Sequence, residues 1–123
     1  MCGFVWINFF LDLYANKIEF SGAEEFAKML RQNCGLEHLN LQNNGIKAQG
    51  VQLLAEALHV NSTLKSLNLA ANSVGNSETA LCKMLNVNST LKKLDLRFTD
   101  AHRHIIEHSL KNRKQPMEIV WLF

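Results

Sequence analysis

The sequence predicts an α/β solenoid, with short parallel strands lining a concave side and helices on a convex side. Two observations carry that reading. The segment Leu36-Glu37-His38-Leu39-Asn40-Leu41-Gln42-Asn43-Asn44 returns as Leu64-Lys65-Ser66-Leu67-Asn68-Leu69-Ala70-Ala71-Asn72, 28 positions on (64 − 36), and Leu91-Lys92-Lys93-Leu94-Asp95-Leu96 follows after 27 more (91 − 64). A fixed period in this range belongs to chains whose units bury an apolar face only against their neighbours. Within each unit the leucines first alternate with period two, as in a strand, and then recur at helical spacing.

The first unit, residues 7 to 35, contains Leu11-Asp12-Leu13-Tyr14-Ala15-Asn16, which stands 28 positions before Leu39 (39 − 11). Leu11 and Leu13 read as strand leucines, and Ala23, Phe26, Ala27 and Leu30 form the inward stripe of the helix that follows. Ahead of them Phe4, Val5, Trp6, Ile7, Phe9 and Phe10 offer no polar cap, so either they cover the first repeat or another part of a longer protein stands there. The second unit, 36 to 63, places Leu39 and Leu41 inward, turns at Asn44-Gly45, and continues into a helix over 50–59 that buries Val51, Leu54, Ala55 and Leu58. In the third, 64 to 90, Leu81, Cys82 and Leu85 take the places of Leu54, Ala55 and Leu58, which makes Cys82 a small buried residue.

The fourth unit, 91 to 116, ends in a helix over 101–113, with Ile105, Ile106 and Leu110 inward and Arg103, Lys111, Arg113 and Lys114 outward. Pro116 stops it, and residues 117 to 123 read as a last strand, a makeshift cap or a partner's docking edge. The whole chain is therefore one domain.

The pattern L-x-x-L-x-L-x-x-N followed by a helix resembles the leucine-rich-repeat family, specifically its long, ribonuclease-inhibitor-like class, over residues 7 to 110. That resemblance implies a horseshoe segment and an asparagine ladder running from unit to unit. The matching positions are Asn16, Asn44 and Asn72, with Thr99 in the last unit, so the ladder should weaken there. It also implies protein binding, as in ribonuclease inhibitor, the sensor ends of NOD-like receptors and axonemal repeat proteins. Ribonuclease inhibitor is rich in cysteine and this chain has three, which argues against that identity. One branch of the class, the Ran GTPase-activating proteins, assists catalysis, and this supplies the alternative of an enzyme-regulating role. The uncapped start suggests a short form or fragment of a longer repeat protein.

Chemistry is hard to find. Cys34 and His38 lie across a turn, where four-residue spacing does not bring side chains together. No glycine-rich phosphate loop and no paired carboxylates appear, so no catalytic residue, cofactor or small-molecule substrate is expected. His102, His104 and His108 are the best metal candidates, but no recognised motif fixes a further ligand beside them, and no metal site is assigned. A net charge of +2 is too weak to argue for nucleic acid or an anionic membrane, and the apolar start is too short to span one. Three cysteines without a CxxC pair suit a reducing compartment, so the chain reads as cytoplasmic, with cilium or nucleus open. Cys34 falls in a loop and should be the thiol that reacts. The sequons at Asn61 and Asn88 follow helices, where asparagine tolerates a left-handed cap.

What remains is a surface. Positions between and just after the strand leucines line up across units, giving Asp12, Tyr14, His38, Asn40, Gln42, Ser66, Asn68, Ala70, Lys93, Asp95, Arg97 and Phe98 as outward residues. All but Ser66 and Ala70 are the expected contacts for a partner protein, with Arg97 and Phe98 the anchoring pair. The apolar ends leave self-association open.

Overall fold

The computed structural model describes residues 9–32 and 35–122. Strands and helices alternate along them: β1 (Phe9–Asp12), α1 (Glu19–Gln32), β2 (Leu36–Asn40), α2 (Ala48–Leu58), β3 (Ser66–Asn68), α3 (Glu78–Val87), β4 (Lys93–Asp95), α4 (Arg103–Ser109), a 3-10 turn (Leu110–Asn112) and β5 (Glu118–Val120). The five strands form one parallel sheet in chain order. Each crossover passes through a helix or helical turn, as parallel pairing requires.

Register follows the leucines. Leu11, Leu39, Leu67, Leu94 and Ile119 pair in one row across the sheet, and Asp12, Asn40, Asn68, Asp95 and Val120 in the next. Between sheet and helices lies a single core in which Leu39, Leu41, Leu67, Leu69, Leu94 and Leu96 are all buried, stacked with Leu54, Leu58, Leu81 and Leu85 from the helices. Gly50, in the first turn of α2, is small because a Cβ there would stand 3.1 Å from Ala23 Cβ and 2.9 Å from Ile46 Cγ2. Its contact lets α2 lie close on α1.

The last unit departs from expectation. Its helix closes at Ser109 and gives way to a 3-10 turn, so the unit is 25 residues long by register (119 − 94). Ile105 is 41% exposed rather than inward, because the shortened helix turns only Ile106 and Leu110 toward the core. Register places Trp121 where earlier units have Leu96, and Met117, Ile119 and Trp121 pack against the core. The Arg103 guanidinium lies 5.6 Å from the centre of the Trp121 ring. Cys82 is half-buried rather than buried, with Sγ 3.8 Å from the Ile105 carbonyl. Phe4, Val5, Trp6, Ile7, Cys34 and Phe123 lie outside the described residues.

Candidate functional site

Two columns of side-chain amides tie the units together. In the first, Asn44 Oδ1 accepts from the Asn16 N–H at 2.7 Å, while its Nδ2 donates to the Leu13 and Gln42 carbonyls. Asn72 repeats the arrangement one unit on, accepting from the N–H groups of Asn44 and Ile46 and donating to the carbonyls of Leu41, Leu69 and Ala70. Buried backbone polar groups need such partners wherever regular pairing ends. In the last unit Thr99 makes fewer bonds than Asn72, and the ladder is divided between two residues. Thr99 Oγ1 donates to the Leu96 carbonyl, as Asn72 does to Leu69, and Asp100 Oδ1 accepts from the N–H groups of Val74 and Gly75, both at 2.7 Å.

The second column uses the sequon asparagines. Asn61 Nδ2 donates to the Leu30 carbonyl and Asn88 Nδ2 to those of Leu58 and Asn61, while each Oδ1 accepts from the N–H groups two and three residues ahead. Both residues are 5% exposed, so their amide nitrogens are committed to carbonyls inside the fold. The Asn88 backbone is extended (φ −73°, ψ 122°), not left-handed, and the asparagines are there for their amides. In the last unit register puts Arg113 at this position (88 + 25). Its guanidinium turns inward, not outward as helical spacing predicts, and donates to the carbonyls of Leu85, Asn88 and Leu91. Burial pulls its pKa below the ordinary arginine value.

With those ladders holding the edges, the sheet presents a face hollowed by a depression of about 240 Å³, lined in part by Phe10, Asn40, Ser66, Asn68, Lys93, Asp95 and Arg97. Five of the expected contacts therefore converge: Asn40, Asn68, Lys93, Asp95 and Arg97. Phe10, which the sequence reading assigned to the apolar start, joins them; it is 60% exposed and stacks on His38 with centroids 5.6 Å apart. Gln42 borders the group, its Oε1 accepting from Asn68 Nδ2 at 3.2 Å. Asp12, Tyr14 and Phe98 lie outside that lining, with Tyr14 and Phe98 53% and 63% exposed. Ala70 is fully buried, and Asp95 is 5% exposed beneath Arg97, so neither is outward.

The central row of this face does local work that the sequence reading missed. Asp12, Asn40, Asn68 and Asp95 each turn Oδ1 back onto the N–H two residues ahead, at 2.9–3.0 Å, forming a row of Asx turns. The signal was present, since the residue between the paired strand leucines is always Asp or Asn. Asp95 also holds Arg97, with Nη2 2.7 Å from Oδ2 and Nε 3.1 Å from both oxygens. The Asp95 carboxylate raises the arginine pKa above its ordinary value.

One position after the turn, Ala15, Asn43, Ala71 and Phe98 share a left-handed backbone, with φ between 55° and 57°. Asparagine suits that conformation; an exposed phenylalanine does not. A bulky ring held in a strained conformation and left in solvent marks a position where stability gives way to something else.

The histidines do not gather around a metal. His102 precedes α4 and engages Glu78, whose Oε1 accepts from the His102 N–H at 3.1 Å and meets Nδ1 at 2.7 Å. His104 and His108 are exposed on α4, and among the described residues no cluster of three His, Cys, Asp or Glu side chains is placed to hold an ion. Burial pushes the Glu78 carboxyl up, but the bonds from His102 and from its own backbone outweigh that and leave its pKa below the ordinary value. A depressed carboxyl adds stability that is present above the unfolded-state pKa and lost as pH falls through the folded one. Urea melts across the acid range should therefore show wild type losing stability there and Glu78→Gln losing less.

Comparison with known proteins agrees with this architecture. A family model described as Leucine Rich repeat matches residues 32–55 and 60–77. A search of curated proteins gives no match. Among solved structures, one titled Leiomodin-1 Actin-Binding Site 2 is similar with a TM-score of 0.81 and 23% identity, over 93% of this chain and 70% of that one. The tropomodulin C-terminal domain of Caenorhabditis elegans is similar with a TM-score of 0.77 and 12% identity, over 94% and 74%. The chain has the leucine-rich-repeat fold: the matched repeats and a single parallel sheet backed by helices define it. No helix among the described residues is long and apolar enough to cross a membrane.

Proposed function

We propose that this chain is a protein-binding module whose working surface is the hollowed sheet face, with Arg97 and Phe98 at its rim. The observation that carries the reading is Phe98: a 63% exposed aromatic in a left-handed conformation, in a column where asparagine or alanine stands otherwise. Exposed aromatic and arginine side chains are the ones that carry binding energy at interfaces. The leiomodin structure is titled as an actin-binding site, which makes actin the first partner to try. Membership of the ribonuclease-inhibitor-like class and a place in the cytoplasm fit the repeat length and cysteine usage and belong to the same proposal.

The alternative of GTPase activation has no observation in its favour.

Phe98→Asn tests the proposal without the ambiguity of a damaged fold. Relief of the strained backbone should raise stability by about 1 kcal/mol. Loss of the aromatic anchor, together with Arg97→Ala, should weaken partner capture roughly tenfold or more. Cosedimentation with actin and affinity capture read the second effect, urea melts the first. Unchanged capture by a variant that melts higher would remove Phe98 and Arg97 from the binding surface.

A further inference from the structure

We propose that the segment this face receives is acidic: a stretch of partner protein whose carboxylates meet Lys93, Arg97 and the Asn40 amide while an apolar residue rests on Phe10. The inference rests on the sheet face being the docking surface, and it comes from counting which polar atoms are already used.

The oxygens of the central residues are already engaged. Asn40 Oδ1 and Asn68 Oδ1 are held by the N–H groups of Gln42 and Ala70, and a partner that donates a hydrogen identifies each atom as the oxygen. Gln42 Oε1 is held by Asn68 Nδ2. Both Asp95 oxygens are held by Arg97. The donors are not spent: Asn40 Nδ2, Gln42 Nε2, the exposed Lys93 ammonium and Arg97 Nη1 remain for a ligand. A face that has turned its acceptors onto its own backbone and side chains and left amide and cationic donors outward is complementary to a ligand rich in acceptors. Carboxylates make the strongest such bonds. Asp12 on β1 and Glu118 on β5 are exposed and bound this donor strip at its two ends.

The spacing sets the shape of the ligand. Phe10 and Lys93 lie on the first and fourth strands, which at about 4.8 Å per strand places them roughly 14 Å apart. An apolar residue and an acidic cluster separated by about nine residues of helix, or about four of extended chain, would reach both.

A displayed library of random segments of about 14 residues, long enough to cover that span, selected on the wild-type chain, tests this directly. Asp and Glu should exceed Lys and Arg in the enriched pool by about threefold or more, in line with charge complementarity. Repeating the selection on Asn40→Asp/Asn68→Asp should remove that excess. Those changes keep the oxygen that each turn needs, and Asp12 and Asp95 already stand in the same row. Lys93→Glu, at an exposed strand position, should shift the pool the same way. A wild-type pool that is neutral or basic, yet bound at this face, overturns the acidic assignment and leaves the docking surface standing. A pool indifferent to all three changes and to Phe98→Asn overturns both. Tighter binding of a single-stranded oligonucleotide than of any selected segment also overturns the proposal.

Discussion

Asn72→Ala is expected to lower the unfolding free energy by about 3–5 kcal/mol, a large share of what a domain of this size has to lose. Asn72 is 6% exposed, and its one amide serves five backbone groups in two units. Truncation strands the N–H groups of Asn44 and Ile46 and removes a donor from three carbonyls. Each buried group left without a partner costs about 1–3 kcal/mol, and water reaches some of them, which brings the sum down to the stated range. Thr99→Val supplies the scale: it deletes one bond to the Leu96 carbonyl and one weak acceptor for the Ala101 N–H at 3.4 Å, and should cost only about 1 kcal/mol. Urea midpoints at constant m-value measure both. A loss below about 1 kcal/mol for Asn72→Ala would mean that leucine stacking alone sets the register, with the ladder a passenger.

The asparagine should also bear on the proposed binding face. The N–H groups it anchors belong to the turn just beyond the Gln42 and Asn43 positions, so the ladder fixes where each strand ends and which way the next side chains point. A variant that still folds with a loosened turn should therefore lose partner affinity before it loses its sheet.

Much of this is legible in the sequence. Leucines at a 28-residue interval name the strands, the core and the order of the sheet, because a two-residue alternation followed by a helical stripe permits one inward face for each element. The ladder at Asn16, Asn44 and Asn72 is legible only through the resemblance to leucine-rich repeats. The face was less so. Pattern shows which residues point outward, but not how their atoms are engaged, and the Asx row at Asp12, Asn40, Asn68 and Asp95 turns one oxygen of each residue onto the backbone. Phe10 escaped because an apolar run hides its own strand boundaries. The chemistry of Phe98 is plain in the sequence; its left-handed backbone shows only in the fold.

Arg113 was the hardest to read, and its removal should be the second large loss. On a helical wheel it belongs with Arg103, Lys111 and Lys114, a basic face turned to water. The last unit, however, is shorter than its predecessors, and its helix stops at Ser109, so the wheel no longer applies where Arg113 stands. Aligned on strand pairing it falls under Asn61 and Asn88, and it does their work with a longer arm, covering the carbonyls of Leu85, Asn88 and Leu91 at the end of α3. A cation there also meets the negative end of that helix. Arg113→Ala should cost about 2–4 kcal/mol, since it uncovers three carbonyls under the last unit. Arg113→Lys separates charge from reach. A lysine keeps the attraction to the helix end, worth about 0.3–1 kcal/mol, but a single ammonium cannot cover carbonyls spread from Leu85 to Leu91. It should therefore recover less than half of the loss in a urea melt. Full recovery by lysine would make Arg113 a point charge rather than a cap. In that case the 3-10 turn and β5 would owe their place to Met117, Ile119 and Trp121 alone, and Trp121→Ala would become the more damaging change.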